Sequence, residues 1–236
     1  MSMILNDFGV IHIQGSKANA FLQGQLTCDI NQVSNQKASL AACCDYKGRV
    51  LANFFCWGQA EDYYLLLPTS MIPLILEHLK KYAMFSKVVL EEMPDYDLLL
   101  PMSDVPLPTS DIESYQSLLV EAGIVFIEPA TSGLFIPQML HLQKLGGISF
   151  KKGCYVGQEV IARTEHRGQL KRHLYRVIST DTTRLPSIGG ELMDAAGQAV
   201  GVVASTTILQ DNSQRCLAVI QDTAINELVG FRVEPC

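Results

Sequence analysis

The residues best suited to chemistry lie in one glycine-rich stretch: Gly146-Gly147-Ile148-Ser149-Phe150-Lys151-Lys152-Gly153-Cys154-Tyr155-Val156-Gly157-Gln158-Glu159-Val160-Ile161-Ala162-Arg163. Cys154 follows two lysines and a glycine, and precedes what reads as the first turn of a helix running to about Arg163. A nearby ammonium and helix N-terminal amides both favour thiolate over thiol, and Gly153 and Gly157 leave room for a ligand to approach the backbone. A buried, inert cysteine is the competing reading, though it accounts for neither the lysines nor the glycines. Spacing alone leads to a candidate reactive cysteine beside a basic patch and no further.

The chain as a whole is acidic, with a formal net charge of −6, which argues against a protein that coats nucleic acid through its overall field. The charge is unevenly spread. Between Lys144 and Arg176 lie eight of the eighteen Lys and Arg residues against only Glu159 and Glu165, so this window is +6 and the remainder −12. Such a run reads equally as a solvated face or as an anion-binding surface. The seven cysteines, an odd number, do not form a disulfide framework, and Cys28, Cys43, Cys44 and Cys56 sit among apolar or small neighbours as core filler. With no CxxC, no HExxH and no Cys/His set at zinc spacing, no dedicated metal site is expected. GxGxxG, GxxxxGK[ST] and GxSxG are missing too, which removes the local geometry of dinucleotide, P-loop and α/β-hydrolase sites.

The elements that must position this stretch belong to a compact protein. At 236 residues, 48 % hydrophobic and 18 % charged, the chain has enough apolar material for one large or two modest cores and is not a disordered or fibrous sequence. Its apolar runs are shorter than the ~18 residues of a membrane span, and its first residues lack a signal-peptide pattern, so a cytoplasmic location without membrane contact is expected. Residues 1–92 read as strand (Gly9 to Ile13), helix after a Ser16 cap, paired strands (Ala38 to Cys44, Arg49 to Trp57) joined by Asp45-Tyr46-Lys47-Gly48, and a further run Tyr63 to Leu67. A helix from Ser70 to Tyr82 and a strand from Ser86 to Glu91 complete a split βαβ pattern. Proline-rich residues 93–109 read as a linker. Residues 110–167 follow with a helix from Asp111 to Ala122, a strand from Ile124 to Ile127 and a helix from Pro137 to Leu145. Residues 168–236, with short β segments at Leu174 to Thr180, Glu191 to Met193, Ala199 to Thr207 and Arg215 to Ile220, suggest a small β-barrel or sandwich.

The run Lys152-Gly153-Cys154-Tyr155-Val156-Gly157-Gln158-Glu159 resembles the KGCYxGQE motif of the YgfZ family, folate-binding relatives of the glycine-cleavage aminomethyltransferase, or T-protein. Matching stretches occur in order: Phe21 to Asp29, Cys44 to Arg49, Lys81-Tyr82 with Phe85 to Val88, Phe135 to Gln138, Arg167-Gly168 and Lys171-Arg172. Between Val88 and Phe135 the chain is shorter than the family pattern. The resemblance implies an α+β fold, with a ferredoxin-like, T-protein-type folate-binding region and a C-terminal small β-barrel. It implies tetrahydrofolate or a related folate as ligand, and a role in assembling or maintaining iron-sulfur clusters in client enzymes, including those that modify tRNA.

By that resemblance Cys154 is the reactive or cluster-handling thiol and Lys152 its charge partner. Tyr155, Gln158, Glu159 and Arg163 fall to the folate loop, with Gln158 and Glu159 orienting it and Arg163 serving a ligand carboxylate or Glu159. Asp45, Lys47 and Arg49 form the facing wall of the cleft, or else a solvated turn. Phe8 and Tyr115 are candidates to line a pterin site, with core packing the alternative for Phe8. Lys171, Arg172 and Arg176 are left for a larger anionic partner, an acidic protein surface or tRNA. Two rivals stand beside this reading: a tetrahydrofolate-dependent one-carbon transferase, which needs a carboxylate against the pterin and no cysteine, and a tRNA-binding module built on the basic window. The stretch generates one direct expectation. Cys154 should react with a small alkylating probe at neutral pH faster than the other six cysteines, and labelling of Cys43 or Cys56 first would sink it.

Overall fold

The computed structural model describes residues 7–93, 103, 111–179, 185–208 and 214–236. The first sheet is built from β1 (Phe8–Gln14), β2 (Ser39–Cys44), β3 (Val50–Gln59), β4 (Asp62–Pro68) and β5 (Val89–Met93), in the order β2-β3-β4-β1-β5, with every neighbouring pair antiparallel. Helix α1 (Ala18–Gln25) joins β1 to β2, and α2 (Ile72–Ala83) joins β4 to β5 across the intervening β1. Helix α2 buries Ile72, Ile75, Leu79 and Ala83, a helical-period stripe, and Lys80 and Lys81 in its last turn oppose the dipole. Ser16 does not cap α1. The N-cap is Lys17, without a side-chain bond, and the helix is held by burial of Ala18, Phe21 and Leu22. Met93 closes β5 opposite Val10, so the strand takes the first residue assigned to the linker. Residues 94–102 and 104–109 of that linker lie outside the described residues.

Helix α3 (Ile112–Ala122) starts at Asp111, whose carboxylate accepts from Ser114 N at 3.1 Å, and ends at Gly123 with φ 67°. The next residues, Ile124 to Ile127, are buried but form no strand. Ile124 N returns to Leu119 O at 2.8 Å, and a side chain serves the rest of the run: Asn53 Nδ2 donates to Val125 O at 2.7 Å and Asn53 Oδ1 accepts from Ile127 N at 2.8 Å. The expected helix from Pro137 to Leu145 is a single 3-10 turn, Pro137–Leu140, because His141 turns into the left-handed region at φ 56°. Helix α4 (Gln158–Arg167) follows.

The second sheet comprises β6 (Arg172–Ser179), β7 (Glu191–Met193), β8 (Ala199–Ile208), β9 (Gln214–Gln221) and β10 (Phe231–Pro235), in the antiparallel order β10-β6-β9-β8-β7. The sequence reading missed β10, whose Pro235 is tolerated at an edge. The centre of β9, Cys216 to Ile220, is continuously apolar because both faces are covered. Leu217 and Val219 join the main core, while Cys216, Ala218 and Ile220 join a second cluster with Leu185, Ala224 and Leu228. Among the described residues β7 and β10 are not paired, so this is an open sheet where a barrel was expected. Loop residues such as Leu185, Ala224 and Leu228 bury the second face without closure. The main core runs unbroken from the first sheet through Tyr115, Ile148 and Ile161 to Leu174 and Leu217.

Two glycines fix how the first sheet meets α4. The β2–β3 hairpin is an Asx turn, with Asp45 Oδ1 accepting from Lys47 N and Arg49 N, both at 2.8 Å. Gly157, the N-cap of α4 at φ 83°, packs so closely on this turn that a Cβ would lie 2.6 Å from Asp45 O and 2.9 Å from Gly48 Cα. Replacing Gly157 by Ala should therefore lower stability by about 2–4 kcal/mol, from left-handed strain plus overlap. Gly197→Ala, at φ 76° with nothing within 4 Å, should cost only about 1 kcal/mol. Equal losses in urea melts would show that the hairpin does not constrain Gly157.

Candidate functional site

The segment from Gly24 to Asp29 is held on two sides. Toward β2, Leu26 bridges Cys43, Thr27 N donates to Ala42 O at 2.9 Å, and Ala42 N donates to Thr27 Oγ1 at 2.9 Å. Toward the glycine-rich loop, Thr27 Oγ1 donates to Gly147 O at 2.6 Å, Ser149 N to Thr27 O at 2.9 Å and Val156 N to Gly24 O at 3.1 Å. Lys152 completes the contact from inside: its Nζ donates to Leu26 O at 2.8 Å and to Cys28 O at 2.6 Å.

Lys152 is only 9 % exposed. Burial brings its pKa down to about 8, against the opposing pull of Cys28, Asp29 and Cys56. The ammonium lies 5.1 Å from the centre of the Tyr155 ring. Tyr155 is itself buried, which pushes its pKa up, and its hydroxyl finds no hydrogen-bond partner. Cys154, two residues from Lys152, is on the surface, whereas Cys28, Cys43, Cys44, Cys56 and Cys216 are buried and Cys236 is half-buried. Burial raises the thiol pKa of Cys43 and of Cys216 to about 12. Cys154 thus stands apart by exposure. The role expected for Lys152 changes: its ammonium is spent on two backbone carbonyls inside the protein, so it latches the loop instead of pairing with the thiol. The helix start also moves, because α4 begins only after Gly157, beyond the thiol.

Beside the latch lies a cavity of about 490 Å³ lined by Asp29, Gln32, Lys37, Ala38, Ser39, Leu40, Ser103, Leu145, Gly146, Ile148, Ser149, Phe150 and Lys151. Asp29 accepts from Gln23 Nε2 at 2.9 Å and from Asn31 N at 3.1 Å, and the Gln23 bond leads in holding its carboxyl below the usual range. The cavity therefore offers one carboxylate, two lysines, the Phe150 ring and several hydroxyls. Among the described residues no group of three metal-ligating side chains gathers.

None of the residues singled out for folate lines this cavity. Asp45 is consumed by the hairpin turn, and Arg49 Nη1 donates to Leu134 O at 2.5 Å. Lys47, Glu159 and Arg163 are exposed and Gln158 is half-buried, all on the hairpin–α4 side. Phe8 and Tyr115 do meet, with ring centroids 5.8 Å apart at 70°, but Phe8 also packs edge-on to Phe126 at 5.3 Å and Tyr115 is 2 % exposed. Tyr115 is a core residue that presents no face to a ligand, and Phe8 is partly buried against the same core. Arg176 is no surface residue either. It donates to Val120 O at 3.3 Å and Glu121 O at 2.5 Å, capping the last turn of α3, and pairs with Glu234 at 3.3 Å. Lys171 and Arg172 remain exposed. Sequence reasoning missed Lys37 and Ser39 altogether, and quoted Ser149 only as part of the glycine-rich stretch. Asp29 and Lys151 were within its motifs, but nothing local marks them as cavity residues.

No family model matches the chain. Among solved structures it is similar to the crystal structure of the glycine cleavage system aminomethyltransferase T from Bartonella henselae, with a TM-score of 0.69 and 14 % identity over 94 % of this chain and 78 % of that one. At this identity the likeness is one of fold: a mixed α/β chain with two antiparallel sheets, arranged as in aminomethyltransferase T. No helix among the described residues is long and apolar enough to cross a membrane.

The latch has a pH signature. Because Lys152 titrates near 8 when folded and near 10.5 otherwise, the unfolded chain binds the extra proton between those values, so stability rises as pH climbs through that window. Lys152→Met should abolish the rise and, by leaving two carbonyls without their donor, destabilise the fold by about 1–3 kcal/mol at neutral pH. Parallel urea-melt profiles of the two proteins across that window would show that the ammonium is not desolvated.

Proposed function

We propose that this chain is a folate-binding accessory protein of the YgfZ type, acting in the cytoplasm on iron-sulfur enzymes that include tRNA-modifying ones. The observation that carries the proposal is the polar cavity built directly against the Lys152-latched loop, on a fold like that of aminomethyltransferase T. The split arrangement of β4, β1 and β5 supports a ferredoxin-like description of the first sheet, and the second sheet takes the place of the small barrel.

The cavity residues suit a folate. At about 490 Å³ the space falls within the ~300–1000 Å³ range of small-molecule sites. Asp29, anionic at neutral pH, would accept from the amino and ring N–H donors of a pterin. Phe150 would cover an aromatic face, and Lys37 and Lys151 would hold glutamate-tail carboxylates. A reduced folate, when bound, supplies one-carbon or reducing equivalents. Lys152 keeps the loop seated, and Cys154, on the outer side of that loop, is the thiol presented to a client or its cluster.

One observation favours a second reading. A one-carbon transferase needs a carboxylate against the pterin, and Asp29 is the carboxylate that lines the cavity. The tRNA-binding alternative, built on the basic window, loses Arg176 to the cap of α3 and Lys152 to the loop latch, and keeps Lys144, Lys151, Arg163, Arg167, Lys171 and Arg172 exposed.

Calorimetric titration with tetrahydrofolate tests the reading. The Lys37→Ala/Lys151→Ala pair should weaken binding by about 1.5–3 kcal/mol per lost charged hydrogen bond, whereas Arg163→Ala and Cys154→Ser should leave it unchanged. Cys154→Ser should nonetheless fail to restore iron-sulfur enzyme activity in cells lacking the protein. Loss of binding in Arg163→Ala alone would move the ligand to the α4 side, and absence of binding to the wild type would remove folate from the account.

A further inference from the structure

Helix α2 carries a second apolar stripe besides its core-facing one. Leu74, His78 and Tyr82 follow one another at four-residue spacing, and Phe85 extends the line past the helix end. These residues face outward: Leu74 is 37 % exposed, Tyr82 44 %, Phe85 90 %, and the adjoining Met84 75 %. The His78 and Tyr82 rings lie 5.2 Å apart, and His78 Nε2 is buried without a partner. Burial, aided by Lys81, lowers the His78 pKa and keeps the ring neutral and compatible with an apolar stripe.

The Met84–Lys87 turn is held in place. Ser86 N donates to Ala83 O at 2.8 Å and Ser86 Oγ to Tyr82 O at 3.4 Å. Lys87 O presses so closely on Gly15 that a Cβ there would lie 2.3 Å away. An apolar pair fixed in water in this way keeps its shape without any gain from burial, which is the property of an interface anchor. The charges around it have one dominant sign. Lys80, Lys81 and Lys87 are exposed beside the turn, and the one carboxylate among them, Glu77, is paired with Lys81 at 2.8 Å. Asp45 of the β2–β3 hairpin also acts on His78, pulling its pKa up against burial and Lys81. This positive, aromatic surface belongs to a chain of net charge −6.

We infer that the α2 stripe and its Met84-Phe85 turn dock an acidic protein, with Phe85 and Met84 entering an apolar recess and Lys80, Lys81 and Lys87 meeting carboxylates at its rim. A compact acidic patch fits better than a bilayer. The exposed lysines are gathered around one short turn instead of spread over a broad face, which matches a compact patch. The inference does not depend on folate binding.

The test uses the full chain in cells, with a photocrosslinking phenylalanine analogue at position 85 and, as control, at the exposed Val229. Position 85 should give a discrete adduct with a protein of net negative charge. That protein, once purified, should bind the wild type in a salt-sensitive manner. Its affinity should fall about tenfold or more both in Met84→Ser/Phe85→Ser and in Lys80→Glu/Lys81→Glu/Lys87→Glu. Unchanged melting temperatures of both variants separate lost docking from lost fold. The inference is overturned by lipid adducts with co-sedimentation on phosphatidylglycerol vesicles, by an adduct with a second copy of this chain, by a partner indifferent to charge reversal, or by no adduct above the Val229 control.

Discussion

A buried ammonium must be given acceptors, and the way Lys152 is given them organises this protein. Its two acceptors, the carbonyls of Leu26 and Cys28, belong to a segment that has left α1 and runs along β2. Meeting that demand draws the glycine-rich loop onto the first sheet. Thr27 answers the same demand at smaller scale, its hydroxyl giving to Gly147 O and receiving from Ala42 N, whereas Gln25 Oε1 and the Tyr155 hydroxyl stay without a partner. The loop in turn sets the positions of Ser149, Phe150 and Lys151 in the cavity wall and leaves Cys154 outside.

The hairpin at Asp45–Gly48 is the second tie. Its turn bonds are internal, yet the turn is pressed against Gly157, so the start of α4 is referenced to the edge of the first sheet. The loop is thus anchored at one end by the Lys152 latch and at the other by backbone contact that admits no Cβ. Arg176 makes a comparable tie elsewhere, binding the open carbonyls at the end of α3 and linking that helix to β6 and β10. In each case a residue that looks functional in sequence, because it is charged or glycine, is used to join elements far apart in the chain.

The division of labour at the site follows from these ties. A cavity with one carboxylate and two lysines selects a zwitterionic or dicarboxylate-tailed ligand over an apolar one, and the loop that forms its wall carries the single thiol that stands exposed among the described residues. The outward stripe of α2 lies off the cavity and engages a different kind of partner.

Much of the architecture could be read from the residues alone. The period-2 and period-3.6 patterns located the five strands and two helices of the first sheet, and the Asp-Gly turn located its hairpin, because local chemistry alone decides those features. The reading failed where a long-range partner replaced a local one. Ile124–Ile127 looks like a strand but is served by Leu119 O and the Asn53 side chain, and Pro137–Leu145 looks helical until His141 turns left-handed. The site divides in the same way. The sequence by itself marked Lys152 and Cys154 as candidates, through their spacing with the glycines and the motif they resemble. Only the tertiary structure decided that one points inward to carbonyls and the other outward to solvent, that Tyr115 is core with Phe8 partly buried against it, and that Asp29, Lys37 and Lys151 share a cavity. Those outcomes depend on which distant backbone groups need a partner and how much water each side chain loses, and neither quantity is encoded in the spacing of residues along a chain.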